Sequence, residues 1–247
     1  MKWLDLSCIH HLQSAAEPIQ LDTQNLFTEA FSQFKLENSW FFVRYGLAEH
    51  VVGICWYHGY HLSTPREDDE NRYLAINHPR TSHHSIDVKI MNPDTMEEVD
   101  GDTTGKIWIS SPSVCAGYYR KQELIEQTFQ ATIKNSTNPT NNKTYLRTGD
   151  LGFFQNNHLF ICGRQKDLII VNGVNYYPQD IEHVVQDASA AVWPGCVVAF
   201  SSDDSGKDGQ LEIVFEIQSN KKDEARQVCK EVKNAVIQQL VRISQLK

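Results

Sequence analysis

The sequence predicts a mixed fold: an α/β opening, a strand-rich middle and a small α+β unit at the end. Three observations carry this. Apolar residues alternate with period two at Ile86, Val88 and Ile90 and again through Gly105–Ser111, as in half-buried strands. Asn172-Gly173, inside "DLIIVNGVNYY", is the strongest two-residue hairpin signal. Val228, Val232, Ala235, Val236, Leu240 and Ile243 recur at helical spacing near the end.

In chain order, Asp22-Thr23 caps a helix over 23–34, with Leu26, Phe27, Ala30, Phe31 and Phe34 as a core-facing stripe. Trp40–Val43 reads as a buried strand. Residues 61–82 are polar and charged and predict a loop or excursion. A turn at Asn92-Pro93-Asp94 follows the strand at 86–90, and 123–128 predicts a short helix. Residues 135–142 form a polar loop with no core to bury. The stretch Thr144–Phe154, "TYLRTGDLGFF", reads as two strand ends around a tight turn at Thr148-Gly149-Asp150. Turn chemistry accounts for such a pair; so does a carboxylate aimed at a ligand. "LFICGR" is a strand ending at Gly163. Pro178 suits the first turn of a helix over 179–188. "CVVAF" and "LEIVFEI" are strands, and the final helix covers 222–244. The middle spacing suits a small barrel or sandwich. The boundary falls near 163–167, giving domains 1–163 and 164–247.

The formal net charge of −8 argues against a nucleic-acid binder. No run approaches 18 apolar residues, so no transmembrane helix is expected, and Asp5 with His10 and His11 breaks any signal-peptide core. The six cysteines form no C-x-x-C pair and sit beside apolar segments, as buried thiols do. A reduced, cytoplasmic compartment is expected. His58/His61 and His83/His84 lack a matching second pair at zinc spacing and are expected to be structural or solvated.

Several motifs then occur in one order: "LDLS" (4–7) with "AAEP" (15–18), "YGLAE" (45–49), "GKIWISSPSVCAGYY" (105–119), "YLRTGDLGFF" (145–154) and "GRQKDLIIVNGVNYYPQDIE" (163–182). Together they resemble the adenylate-forming superfamily, and within it the fatty-acyl-AMP ligase branch. The resemblance implies the C-terminal part of a large acyl-adenylating domain, with a small β-barrel, followed by a small mobile α+β domain. It implies activation of a fatty acid by ATP with Mg²⁺. Asp150 then accepts hydrogen bonds from both ribose hydroxyls, for which a carboxylate has the oxygens. Glu49 is the acidic residue at the Mg²⁺–phosphate cluster, Tyr45 with Gly46 lies against adenine, and Ala16, Glu17 and Pro18 border it. Arg164 reaches ribose or phosphate, and Lys166 is the hinge of the small domain. Partners implied are a fatty acid, ATP or AMP, and an acyl carrier protein or an N-terminal half; the acyl acceptor, CoA, a carrier protein or neither, stays open.

No stretch resembles the family's Ser/Thr/Gly-rich phosphate loop, nor its C-terminal catalytic lysine. The resemblance therefore covers the C-terminal half, and the chain alone is expected to be inactive. A non-catalytic nucleotide-binding remnant and a truncated gene product stay open as alternatives. Ala15 stands where the family has glycine, a substitution that costs about 1 kcal/mol or more if positive φ is needed there.

Overall fold

The computed structural model describes residues 4–16, 21–37, 41–51, 53–58, 62–63, 73–77, 86–99, 101, 103–133, 143–156, 158–202 and 210–245. The chain divides into two compact units, Met1–Gln165 and Lys166–Lys247.

In the first unit, β1 (Leu12–Ser14) pairs in parallel with β2 (Phe41–Tyr45), and helix α1 (Leu21–Ser32) makes the crossover. β3 (Cys55–His58) adds antiparallel to β2. Phe41, Val43 and Tyr45 alternate inward, the period of a strand with one buried face. A second sheet has six antiparallel strands in the order β4–β5–β9–β8–β7–β6. These are Leu62–Ser63, Tyr73–Asn77, His158–Arg164, Leu146–Gln155, Gly105–Ser110 and Asp87–Met91 for β4, β5, β9, β8, β7 and β6. One apolar cluster joins the two sheets: Val43, Tyr45, Ile54 and Cys55 meet Val88, Ile90, Ile107, Ile109 and Leu159. The other face of β6–β8 carries Met91, Trp108 and Tyr145, with Ala131 beyond the short helix α2 (Gln122–Phe129). Ile107, Trp108 and Ile109 are all buried, because β7 is covered on both faces.

The second unit folds as its patterns predict. β10 (Ile169–Val171) and β11 (Val174–Tyr176) pair across Asn172 and Gly173, at φ 52° and 72°. Positive φ at both central residues is the requirement of a type I′ hairpin. Pro178 opens α3 (Pro178–Ala188), and α4 covers Lys222–Gln245. β12 (Val192–Ser201) and β13 (Leu211–Ile217) are antiparallel. Ile169, Tyr176, Ile181, Val185, Val192, Ala199, Val228, Val232 and Val236 form the core.

Several expectations change. "TYLRTGDLGFF" is not two strands about a turn. It is one strand, β8, whose register slips between Leu151 and Gly152 against β9 and between Lys106 and Trp108 against β7. Gly149 sits at φ 80° inside that strand, so the bend is a bulge. The face of α1 turned inward carries Gln24, whereas Leu26 is 66% exposed and Phe27 42%; the helix starts and ends two residues earlier than the pattern suggests. Part of the polar excursion, Tyr73–Asn77, is a strand paired with β9. Cys8, Cys196 and Cys229 are exposed and only Cys55 and Cys162 are buried, because an apolar neighbour in sequence does not decide which face a residue takes. Positive φ falls at Ala16, at 78°, rather than at Ala15. Trp40, His61, His83, His84 and the loop 135–142 lie outside the described residues.

A Cβ on Gly152 would meet the Phe160 carbonyl oxygen and the Ile107 side chain inside contact distance. Neither can withdraw, since one is ladder backbone and the other is core. Gly152→Ala is expected to destabilise the chain by about 1–3 kcal/mol of overpacking strain, read as a lower urea midpoint. Gly173→Ala, with nothing within 4 Å of the added carbon but φ at 72°, should lose only about 1 kcal/mol.

Candidate functional site

The bulge in β8 serves one side chain. Asp150 is only 6% exposed, and an ionised carboxylate so placed requires partners. Its Oδ2 accepts a 2.6 Å hydrogen bond from the Tyr45 hydroxyl. Its Oδ1 lies 3.3 Å from Arg164 Nε, on β9, where Asp150 and Arg164 are register partners. The Asp150 amide donates to Thr148 Oγ1 at 3.0 Å, and that hydroxyl donates to the Ile107 carbonyl at 2.9 Å. Thr148 thus ties the bulge to β7. No atom lies within 4 Å of where a Gly149 Cβ would stand, so glycine is needed there for its φ and not for close packing.

Burial pushes the Asp150 carboxyl above the usual range; the Tyr45 hydroxyl and the Arg164 guanidinium oppose this, and the charge of Glu49 adds to it. Burial, then Asp150 itself, keeps the Tyr45 phenol protonated far above its ordinary value, which fixes Tyr45 as the donor. Arg164 is a looser partner. Its side chain is 57% exposed, and pairs of that kind contribute at most about 1 kcal/mol.

Glu49 stands on a single 3₁₀ turn, Ala48–His50, closed by Val51 at φ 53°. Its Oε1 accepts a 2.6 Å hydrogen bond from the Tyr118 hydroxyl, and its carbonyl accepts from the Cys115 amide at 2.8 Å. Burial, then Glu49, pushes the Tyr118 phenol up to about 12. His50 is 1% exposed, with Nε2 2.6 Å from Ser111 Oγ. Burial lowers its pKa below the ordinary value, so the ring is neutral at pH 7.

The structure thus brings Tyr45, Glu49, Asp150 and Arg164 into one electrostatic neighbourhood. Ala16 lies two residues beyond β1, whose register with β2 ends at Ser14–Val43. Gly46 is exposed beside Tyr45, while Glu17 and Pro18 lie outside the described residues. Lys166 is exposed in the 3₁₀ turn Gln165–Asp167, the first residue of the second unit; Arg164 belongs to the first unit. Sequence reasoning missed three contributors: Thr148, Tyr118 and the His50–Ser111 pair. All lie inside or beside the motifs quoted above, but pairings 41 to 69 residues apart leave no periodic trace.

Among the described residues no group of three or more His, Cys, Asp or Glu could hold a metal ion. A single carboxylate such as Glu49 suits Mg²⁺, which takes most of its oxygens from phosphate and water; it does not suit a protein cage.

Residues 2–119 match the AMP-binding enzyme family. A long-chain-fatty-acid–AMP ligase of Mycobacterium marinum is 36% identical over 230 residues, covering 87% of this chain and 38% of its own length. The fatty acyl-adenylate ligase of L. pneumophila, solved with acyl adenylate and pyrophosphate, is 30% identical with a TM-score of 0.59, covering 95% of this chain and 43% of that one. The McyG A-PCP structure, complexed with phenylalanyl-adenylate, is 26% identical with a TM-score of 0.73, covering 96% of this chain and 39% of that one. These matches are to proteins of the adenylate-forming, AMP-binding superfamily. The curated relatives include fatty-acyl-AMP ligases, and the chain spans about two fifths of the length of the relatives it matches. Its fold is that of part of an adenylating domain. No helix among the described residues is long and apolar enough to cross a membrane.

Because the native Asp150 carboxyl titrates above its unfolded value, the folded chain holds the proton more tightly than the unfolded one. The stability Asp150 contributes is present in acid and is lost as pH rises through its native pKa. Asp150→Asn removes the buried charge and keeps an acceptor for Tyr45. Thermal unfolding should show a higher Tm than the parent at pH 7–8, with the gap closing toward about pH 4. A lower Tm at pH 7 would contradict this assignment.

Proposed function

We propose that this chain supplies the nucleoside-binding part of an ATP-dependent ligase that activates a fatty acid as its acyl-AMP. One observation carries the proposal: a buried carboxylate, Asp150, is held on a strand bulge by one rigid donor and one displaceable cation. Each carboxylate oxygen accepts more than one hydrogen bond. Arg164, exposed and loosely held, can swing toward a phosphate and leave Oδ1 to a ribose hydroxyl. Tyr45 stays on Oδ2 and keeps the carboxylate aimed. Hydrogen bonds to a charged acceptor are worth about 1.5–3 kcal/mol each, enough to retain a nucleoside whose diol makes two.

The remaining roles are those the motif resemblance implies. Ala16, Glu17, Pro18 and Gly46 border the adenine beside Tyr45. Glu49 meets a Mg²⁺ carried by the nucleotide's phosphates. Lys166 is the hinge between the end of the large domain, 1–163, and the small domain, 164–247. The fatty acid and ATP are the substrates, and an acyl carrier protein is the acceptor. The 247 residues hold no Ser/Thr/Gly-rich loop ending in lysine, and that loop is the main electrostatic stabiliser of departing pyrophosphate. Nucleoside binding is therefore assigned to this chain, and adenylation to the ligase it belongs with.

Isothermal titration of the full chain with AMP tests the proposal. Binding is expected, at least tenfold weaker in Asp150→Ala; equal affinity in the two proteins would overturn it. ATP–pyrophosphate exchange by the same preparation separates the two levels of function. Its absence is expected, and robust exchange would show that these residues suffice for adenylation.

A further inference from the structure

The loop between β7 and α2, "SPSVCAGYY" (Ser111–Tyr119), has no part in the account above beyond its bonds to the Glu49 turn. Four of its contacts converge there, on three consecutive residues. The Cys115 amide donates to the Glu49 carbonyl at 2.8 Å, and Cys115 Sγ lies 3.6 Å from the Ala48 carbonyl oxygen. His50 Nε2 meets Ser111 Oγ at 2.6 Å, and Ser111 Oγ also accepts the Ser113 amide at 3.1 Å. Tyr118 donates to Glu49 Oε1 at 2.6 Å.

The loop is itself anchored from behind. The Tyr118 ring packs edge-on against Phe129 of α2, with centroids 5.1 Å apart at 76°. Gly117, at φ 140°, passes so close to α2 that a Cβ would come within 2.6 Å of Ile125. Its glycine is required both for its φ and for that approach. The hydroxyl of Tyr118 is therefore delivered to Glu49 by a backbone path with little freedom. Three of these four contacts hold backbone or His50. The fourth, from the Tyr118 hydroxyl, touches the carboxylate itself, and a tie serving the fold alone has no need of it.

We propose that Tyr118 is a positioning residue that orients the Glu49 carboxylate toward a divalent cation carried on the nucleotide's phosphate. The inference rests on the nucleotide-binding reading and adds to it a residue from a separate loop. With one oxygen of Glu49 fixed by a protonated phenol, the carboxylate cannot rotate freely and presents its second oxygen in one direction. Such preorganisation matters most for Mg²⁺, whose octahedral geometry tolerates little misplacement. A metal site with a single protein ligand depends on what holds that ligand in place.

The test uses the full chain with AMP and Mn²⁺, the latter as a paramagnetic stand-in for Mg²⁺ followed by electron paramagnetic resonance. Tyr118→Phe keeps the ring on Phe129 and removes only the hydroxyl. Metal-free AMP affinity, by calorimetry, should stay within about twofold of the parent. Mn²⁺ affinity in the AMP complex should fall about ten- to a hundredfold, the scale for losing the hydrogen-bonding partner behind a metal ligand, and Glu49→Gln should lose at least as much. Mn²⁺ affinity unchanged in Tyr118→Phe, with AMP binding intact, would overturn the positioning role and leave the nucleotide reading standing. A fall in both affinities together would mark the hydroxyl as a general prop for the fold and also overturn it. Failure of the unaltered chain to bind AMP would overturn both.

Discussion

One hydrogen bond organises the first unit: the 2.6 Å contact between Tyr45 and Asp150, 105 residues apart. Tyr45 lies on the three-stranded mixed β1–β2–β3 sheet and Asp150 on the six-stranded antiparallel sheet, so the bond crosses beside the apolar cluster that joins them. Burying a carboxylate is unfavourable without a partner, and burying a phenol without an acceptor is unfavourable too. Each group makes the other's position tolerable. The bulge at Gly149, the Thr148 tie to Ile107 and the Asp150–Arg164 register all place one oxygen where a tyrosine can reach it.

The same constraint creates the site. A carboxylate held by a rigid neutral donor on one oxygen and an exposed cation on the other is half fixed and half available. The structure repeats the device at Glu49, where Tyr118 is the neutral donor. In both cases the tyrosine is kept protonated by burial and by the carboxylate it serves. A neutral donor orients a carboxylate without cancelling its charge, whereas a buried lysine or arginine would neutralise it. The cost appears as stability: Asp150 is a carboxyl that the fold would prefer protonated.

Much of this was legible in the sequence. The hairpin at Asn172-Gly173, the final helix and the strands at 86–90 and 105–111 follow from local chemistry, and the motif order pointed to the family. The strand across "TYLRTGDLGFF" was not legible, because Gly-Asp between apolar runs describes a turn and a bulge equally well; only pairing on both sides of β8 decides. Nor was the inward face of α1, where Gln24 rather than Leu26 is buried: periodicity names a stripe but not what stands opposite it. Of the site, Asp150, Glu49, Tyr45 and Arg164 were each named, but their mutual bonds were not. Tyr45 was expected against adenine; the structure adds that its hydroxyl is committed to Asp150. Tyr118 stood in a quoted motif with no role, since nothing local connects it to Glu49.

The central claim is that Tyr45 holds a buried, perturbed Asp150 in its charged, aimed state. Its most direct measurement is a ¹³C NMR titration of the Asp150 carboxyl in the ligand-free chain, repeated in Tyr45→Phe. The account predicts a native pKa above the ordinary value of about 3.9 and a further rise in the variant, where burial remains and the stabilising hydroxyl is gone. An Asp150 that titrates at the ordinary value and does not respond to loss of the Tyr45 hydroxyl would contradict it.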